Sequence, residues 1–383
     1  MVKVAIVGGR LQGIEAVYLA KKAGFYSILI DKEENPPAKG LCDEFFQLDV
    51  RAIDKPLLDI LTGCDFVLPT TESLSALNAL RVLKQNYSLN IAFDFDAYEI
   101  SSSKLRSDSL FHENGIPAPL YYPDGTAPYV AKPSEASGSK GVRIFEDRQS
   151  VADFYKSNPK DWIVQEYLEG RAYSIEVIGT PGRYKTYQMT EIHVDDKYDC
   201  CLVTSPCLEA PQEKLSQIAI RIAGLLKLNG IMDVEAIFHN GVMKVLEIDA
   251  RLPSQTPAAV LHSTGINLIA ELYNLFCGNW EVDISCEAVF QQENAAAYEL
   301  IEVSNSGVRL CGEGIMSDSA PLEYSRGLLG TRDALIDYNK DNHRLRAILM
   351  YSEETPDALS LKRQRAKDLA IENFRQRSSS HDQ

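Results

Sequence analysis

Four carboxylates and an arginine recur at two-residue spacing late in the chain: Asp233 and Glu235, then Glu247, Asp249 and Arg251. Alternate residues of a strand share a face, so each set is aligned on one side of its segment. Between the sets lies His239-Asn240-Gly241, and Asn-Gly between apolar runs signals a hairpin. Facing carboxylates repel unless a cation neutralises them. Hard oxygen donors suit Mg2+, which also keeps substrate phosphates in its shell. Arg251 is placed to hold a phosphate or a developing oxyanion. The acids are interleaved with Val234, Ala236, Ile237, Phe238, Val245, Leu246 and Ile248, which argues against a solvated edge. One geometric condition follows. A strict two-residue turn pairs 238 with 243 and puts Glu235 and Glu247 on opposite faces, so shared ligation requires an odd loop or a bulge.

Two lysines form a second group. Lys104 sits in the first turn of a predicted helix, where the helix dipole disfavours a cation. Lys132 ends the apolar run Tyr129-Val130-Ala131, just before the small, polar segment Ser134–Gly141. Backbone N–H groups of such a loop can wrap phosphate oxygens, here through Ser137, Gly138 and Ser139. In Trp162–Gly170, a strand end can read an adenine edge through its backbone, and Glu169 can take ribose hydroxyls.

Gly8-Gly9-Arg10-Leu11-Gln12-Gly13 follows a strand and opens a helix, the setting of a dinucleotide fingerprint, but Arg10 replaces the middle glycine. Arg10 with the helix N-terminus, and Asp31 at the end of the second strand, leave two readings open: a bare Rossmann-like turn, or a second adenine nucleotide with Leu11 and Gln12 at its phosphates and Asp49 near its base. Glu72 follows Pro69-Thr70-Thr71 at a strand's C-terminal end, where open α/β sheets bind ligands. It is a candidate for a substrate ammonium group, as is Asp233. Ser254 is a candidate for a substrate carboxylate.

The elements that must position these groups begin with strands at Val2–Val7, Ser27–Asp31, Glu44–Asp49, Phe66–Pro69 and Ile91–Asp94, alternating with helices at Gly13–Ala23 and along Leu74, Leu77, Leu80 and Leu83. That alternation predicts a parallel, doubly wound sheet over residues 1–95. Residues 96–172 read as a linker helix, Lys104–Asn114, and a small α+β lid. Residues 173–383 read as a more antiparallel domain with strands at Tyr173–Ile178 and Thr186–Ile192, a helix at Gln212–Lys227, the acidic hairpin, an exposed helix over Arg363–Arg377 and a disordered end at 378–383. The chain has 383 residues, 45% apolar and 24% charged, with a net charge of −15. That charge argues against sequence-independent nucleic-acid binding, and no stretch of about 18 apolar residues offers a membrane span. Eight scattered cysteines without a Cys-x-x-Cys pair read as reduced thiols of a cytoplasmic protein.

Taken in this order, the residues resemble the ATP-grasp carboxylate–amine ligases. The most specific piece is Glu235 with Glu247-Ile248-Asp249-Ala250-Arg251. Asp249 stands where relatives usually carry Asn, and Ala172 where many have a ribose-binding Glu. The resemblance implies an ATP-grasp fold. It also implies ATP and two Mg2+ ions, with Glu235, Glu247 and Asp249 as metal ligands and Arg251 as the catalytic cation. Lys104, Lys132, Ser137, Gly138, Ser139, Glu166, Leu168 and Glu169 would bind ATP. The implied reaction forms an amide through an acyl phosphate, joining 3-methyl-D-ornithine to the ε-amine of L-lysine in pyrrolysine biosynthesis. Small amino acids are the implied partners, and a homodimer is the assembly considered. Competing readings are an NAD(P)-dependent oxidoreductase built on Gly8–Gly13 and Asp31, and a catalytically silent nucleotide-binding module.

Overall fold

The computed structural model describes residues 1–134, 141–158, 162–207, 211–278, 280, 294–304, 307–339 and 344–379. The chain opens with the buried apolar strand Lys3–Val7, which pairs in parallel with Tyr26–Asp31 and with Phe66–Pro69. Glu44–Gln47 completes a four-stranded parallel sheet on the far side of Tyr26–Asp31. The expected fifth strand, Ile91–Asp94, does not form; a single bridge joins Val67 to Ile91. The reason is local. Asp94 caps a helix, Phe95–Ser101, its carboxylate accepting the Asp96 and Ala97 N–H groups at 3.1 and 3.0 Å. A further helix, Lys55–Thr62, escaped the sequence reading. Asp54 caps it through the Leu57 N–H, with Pro56 inside its first turn.

Within the stretch expected to be the lid, three strands form a small antiparallel sheet ordered Arg143–Phe145, Tyr129–Pro133, Trp162–Glu166, packed on the helix Arg148–Ser157. Its own small core is Tyr129, Ala131, Val151 and Val164. The remaining strands build one large antiparallel sheet. It runs from the acidic hairpin, Val242–Asp249 and Gly230–His239, through Arg171–Thr180, Thr190–Val194 and Cys200–Ser205. It continues through Ala295–Ser304, Arg344–Glu353, Asp333–Asn339 and Glu323–Arg326. The strand expected over Thr186–Ile192 is two strands, Arg183–Thr186 and Thr190–Val194, both pairing with Arg171–Thr180.

The N-terminal sheet and the large sheet do not have separate cores. Val4, Ile6, Ile14 and Leu19 pack in one apolar cluster with Leu252, Ala258, Leu300 and Ile348. A buried polar knot adds to this weld: Tyr18 meets His262 at 2.7 Å and Asp333 at 2.9 Å, and Lys22 pairs with Asp333 at 2.9 Å. Apolar burial on both sides of the helix Leu11–Lys22 therefore fixes the N-terminal turn against the acidic hairpin's end of the molecule.

The terminal helix corrects the sequence reading. It spans Pro356–Ser379 and is packed, not exposed: Leu359, Ala366, Ala370 and Phe374 are buried against the sheet. Arg363 and Lys367 also reach the fully buried Glu299 at 2.7 and 2.8 Å. Two alanines supply half of that stripe, so its periodicity was faint among the charges. The expected disordered end lies largely outside the described residues. Replacing Phe374 by Ala should destabilise the protein by about 3 kcal/mol in urea unfolding, whereas a solvent-exposed helix would lose under about 0.5 kcal/mol.

Candidate active site

The hairpin meets the condition set by its sequence. His239 pairs with Val242 across a two-residue Asn240-Gly241 turn, both residues at positive φ, and Phe238 pairs with Met243. The register then shifts. Ala236 pairs with Val245 but Glu235 pairs with Glu247, so Leu246 is the extra residue of a β-bulge. Beyond the bulge Asp233 stands opposite Asp249. All four carboxylates now lie on one face. The neighbouring strand adds a fifth acid there, because Glu176 pairs with Asp233.

Crowding these acids out of water changes their protonation. Burial pushes the Glu235 carboxyl up to about 8, and Glu247 and Asp249 add to the rise. Burial raises Asp249 to about 6 against the opposing pull of Arg251. Asp233 lies well above the ordinary carboxylate range through burial first, then repulsion from Asp249 and Glu235, and its Oδ1 has no hydrogen-bond partner. Among the described residues, no three such side chains already form a metal-ligand cluster. Glu247 is instead paired with Lys104. Burial works against the charge of Lys104, but Glu247, Asp249 and Glu235 outweigh it and hold the lysine above its ordinary value. Lys132, on the lid, is shifted down, by burial first and with Lys104 as a neighbouring like charge. Lys104 therefore reaches the acidic face, and Lys132 lies close enough to feel the charge of Glu247 and Glu235.

Arg251 sits where the hairpin leaves the sheet. Its guanidinium binds Asp249 at 3.0 Å and Glu72 at 2.9 Å, joining the large sheet to the loop after Phe66–Pro69. Glu72 also accepts a hydrogen bond from Gln12 at 3.0 Å. It is thus an anchor for Arg251 in this structure, which the sequence reading had not foreseen. Ser254, expected at a substrate carboxylate, donates to Glu313 at 3.0 Å. No motif flagged Glu313, which lies 59 residues further along the chain.

A cavity of about 510 Å³ opens beside Arg251. Its lining brings together Arg10, Leu11, Gln12, Asp31 and Asp49, the residues expected near a second nucleotide, with Glu72, Ser254 and Glu313. The glycine turn is built tightly. Gly8 has φ +109°, and a Cβ on Gly13 would stand 2.1 Å from the Gly8 carbonyl oxygen. The two acids have other work, however: Asp31 accepts the Gly9 and Glu33 N–H groups at 2.7 and 2.9 Å, and Asp49 is bound by Arg51. Arg10 pairs with the exposed Glu33. A second cavity of about 470 Å³ on the other side is lined by Lys104, Glu247, Asp249, Arg251 and Tyr98.

The lid hinge is anchored at Glu166. The Glu166 N–H donates to the Leu120 carbonyl, and its carboxylate accepts from the Leu120 N–H and Lys244. Its amide is therefore unavailable to an adenine. Leu168 is buried and Glu169 exposed just beyond it. Ser137, Gly138 and Ser139 lie outside the described residues. Asp108, missed by the sequence reading, sits near Lys132 with its carboxyl raised by burial to about 6.

A domain model for the ATP-grasp domain matches residues 101–255, the stretch from the helix of Lys104 to the Arg251 loop. The 3-methyl-D-ornithine–L-lysine ligase of Methanosarcina barkeri is 38% identical over 83% of this chain and 84% of its own length. The ligase of the same name from Methanosarcina mazei is also 38% identical, over 82% of each chain. Among solved structures, the biotin carboxylase domain of the Hydrogenobacter thermophilus 2-oxoglutarate carboxylase, in complex with MgADP, ADP and bicarbonate, superposes with a TM-score of 0.68 at 14% identity. That match covers 92% of this chain and 86% of the other.

The buried acids predict a pH dependence for the protein without ligands. Glu15, whose Oε1 accepts the Ala258 N–H at 2.6 Å, is raised by burial to about 8, and Glu176 by burial to about 7. Between the ordinary 4.5 and these values the folded state holds protons that the unfolded chain has released, so stability falls as pH rises. The melting temperature should drop from about pH 5 to about pH 8, and Glu15→Gln should flatten that drop in a calorimetric series.

Proposed function

Since this chain belongs to the family of 3-methyl-D-ornithine–L-lysine ligases, a branch of the ATP-grasp enzymes, we propose that it joins the carboxylate of 3-methyl-D-ornithine to the ε-amine of L-lysine, converting ATP to ADP. The observation that carries this reading is the bulged hairpin, which sets four carboxylates on one face beside Lys104, Lys132 and Arg251.

The donors fit Mg2+: they are oxygen-only and partly buried, and Glu235 and Asp249 hold protons more tightly than ordinary carboxylates. Glu235, Glu247 and Asp249 would bind it, with two ions as the expected number. When bound, the metal offsets phosphate charge so that an anionic carboxylate can approach the γ-phosphate. Lys104 and Lys132 take phosphate oxygens. A phosphate arriving between Lys104 and Glu247 attracts the lysine and releases the carboxylate. Arg251, oriented by Asp249 and Glu72, steadies the oxyanion that forms when the amine attacks the acyl phosphate. Ser137, Gly138 and Ser139 are retained as backbone N–H donors to the phosphates, and water must be kept out because it otherwise hydrolyses that intermediate. Leu168 reads the adenine and Glu169 the ribose. Asp233, behind the metal ligands, is retained as a contact for a substrate ammonium. A second adenine nucleotide in the cavity beside Arg251 is a further proposal. The common lining of Arg10, Leu11, Gln12, Asp31 and Asp49 supports it, although Asp31 and Asp49 would have to exchange present partners.

The oxidoreductase alternative has no support. The Methanosarcina relatives are ligases, and the carboxylate of Asp31 is committed to backbone N–H groups. Incubation with ATP, Mg2+, L-lysine and 3-methyl-D-ornithine should yield ADP and a product of the two amino-acid masses less one water by mass spectrometry. Arg251→Ala and Glu247→Gln should each lower ADP release by about a hundredfold or more. ADP release that is independent of both amino acids, with no condensed product, would overturn the reading.

A further inference from the structure

The small three-stranded sheet turns one face to its own helix and the other to the linker helix. Tyr129, Ala131 and Val164 pack with Val151 on the first face. Alternate residues of a strand point to opposite sides, and directly paired residues point to the same side. Val130 and Lys132, with Gln165 and Ile163 opposite them, therefore share the second face. Two contacts fix that face against the helix Lys104–Glu113. At the helix start, the Lys104 and Leu105 N–H groups donate to the Ser134 carbonyl and hydroxyl at 3.2 and 3.4 Å. One turn further in, Gln165 Nε2 donates to Asp108 Oδ2 at 3.4 Å.

Asp108 is the acid of this junction. It is 8% exposed and lies four residues after Lys104, on the same side of the helix. Its partner Gln165 is 2% exposed, and the buried Tyr121 hydroxyl stands beside both without a well-formed hydrogen bond to either. A buried carboxylate is costly to keep charged unless a cation lies near. The cations near Asp108 are Lys132 and Lys104. Burial disfavours the charge of Lys132 and Lys104 repels it, while Glu247, Asp108 and Glu235 favour it. Two of those three acids, Glu235 and Glu247, are the ones expected on the metal. Once they are engaged there, Asp108 is the acid of the three that is left to answer Lys132.

We infer that Asp108 is a positioning residue for Lys132: from the linker helix it keeps that ammonium charged and in place for the nucleotide phosphates after Glu235 and Glu247 have gone to the metal. The inference rests on the reading of Lys132 as a phosphate ligand. Asp108 also repels phosphate directly, but the lysine's effect is larger. A lysine in contact with phosphate acts at shorter range than an acid set one helical turn, about 5 Å, behind the site.

The test is calorimetric titration of the full-length protein with MgADP at about pH 8, where Asp108, pushed up to about 6 by burial, is ionised. Asp108→Asn should weaken binding about tenfold. In a Lys132→Met background the same substitution should cost nothing or tighten binding slightly, since only repulsion is left to remove. A purely structural residue would lose as much in both backgrounds. A pH series gives a second readout. The groups facing Asp108 are Lys104 on its own helix, Tyr121 on the segment before the small sheet, Lys132 and Gln165 on that sheet, and Glu247 on the hairpin. The gap between wild type and Asp108→Asn should close as pH falls from about 8 to about 5, because the protonated carboxyl is as neutral as the amide. If Lys132→Met binds too weakly to titrate, that closure decides. If Asp108→Asn does not fold, Asp108→Ser removes the same charge and should show the same loss. Equal affinity of wild type and variant, tighter binding by the variant, an equal loss in both backgrounds, or a gap that persists at about pH 5 would overturn the assignment and leave the ligase reading standing. A wild type that binds no MgADP would sink both.

Discussion

Repulsion among Asp233, Glu235, Glu247 and Asp249 is the constraint around which this molecule is arranged. Each acid lies on one face of a bulged hairpin, partly removed from water, with Glu176 adjoining from the next strand. In so low a dielectric, like charges a few ångströms apart cannot all ionise without cations close by. The fold answers with Lys104 on the linker helix, Lys132 on the lid and Arg251 at the hairpin's exit. These cations come from different parts of the chain, so the acidic face is also what gives the three parts a common focus.

The compensation is deliberately incomplete in a physical sense: Glu235 and Asp249 still hold protons more tightly than ordinary carboxylates. A site that had balanced its own charge would offer nothing to a metal–nucleotide complex. Residual negative potential, with Lys104 and Lys132 close by, favours arrival of a divalent cation together with phosphates. The same logic continues into the neighbouring cavity. There Glu72 holds Arg251 in place, and Ser254 and Gln255 both donate to one oxygen of Glu313.

Rigidity comes from elsewhere. The helix Leu11–Lys22 is buried between the parallel sheet and the large sheet, and Tyr18, Lys22, His262 and Asp333 knot the two together. Because one core spans both sheets, the Gly8–Gln12 turn, Glu72 and Arg251 keep fixed distances from one another. The lid has its own small core and touches the site through Lys132. A part with a separate core can move as a unit, which suits a cover that must admit and release nucleotide.

Residue spacing by itself determined the acidic hairpin, the two lysines, the glycine turn, the parallel N-terminal sheet and the antiparallel C-terminal one, because period-two strands, caps and turns are local properties. It even required an odd loop or a bulge, since the side-chain alternation of a strand otherwise puts Glu235 and Glu247 on opposite faces. Only the tertiary structure decided where the bulge falls, at Leu246, and that Ile91–Asp94 yields to the Asp94 cap. It likewise decided that the charged terminal helix is buried on a stripe half made of alanine. The roles of Glu72 and Glu313 were beyond the sequence for one reason. Each is defined by partners far along the chain, Arg251 179 residues away and Ser254 59 residues away, and no local pattern encodes a contact that exists only once the chain has closed on itself.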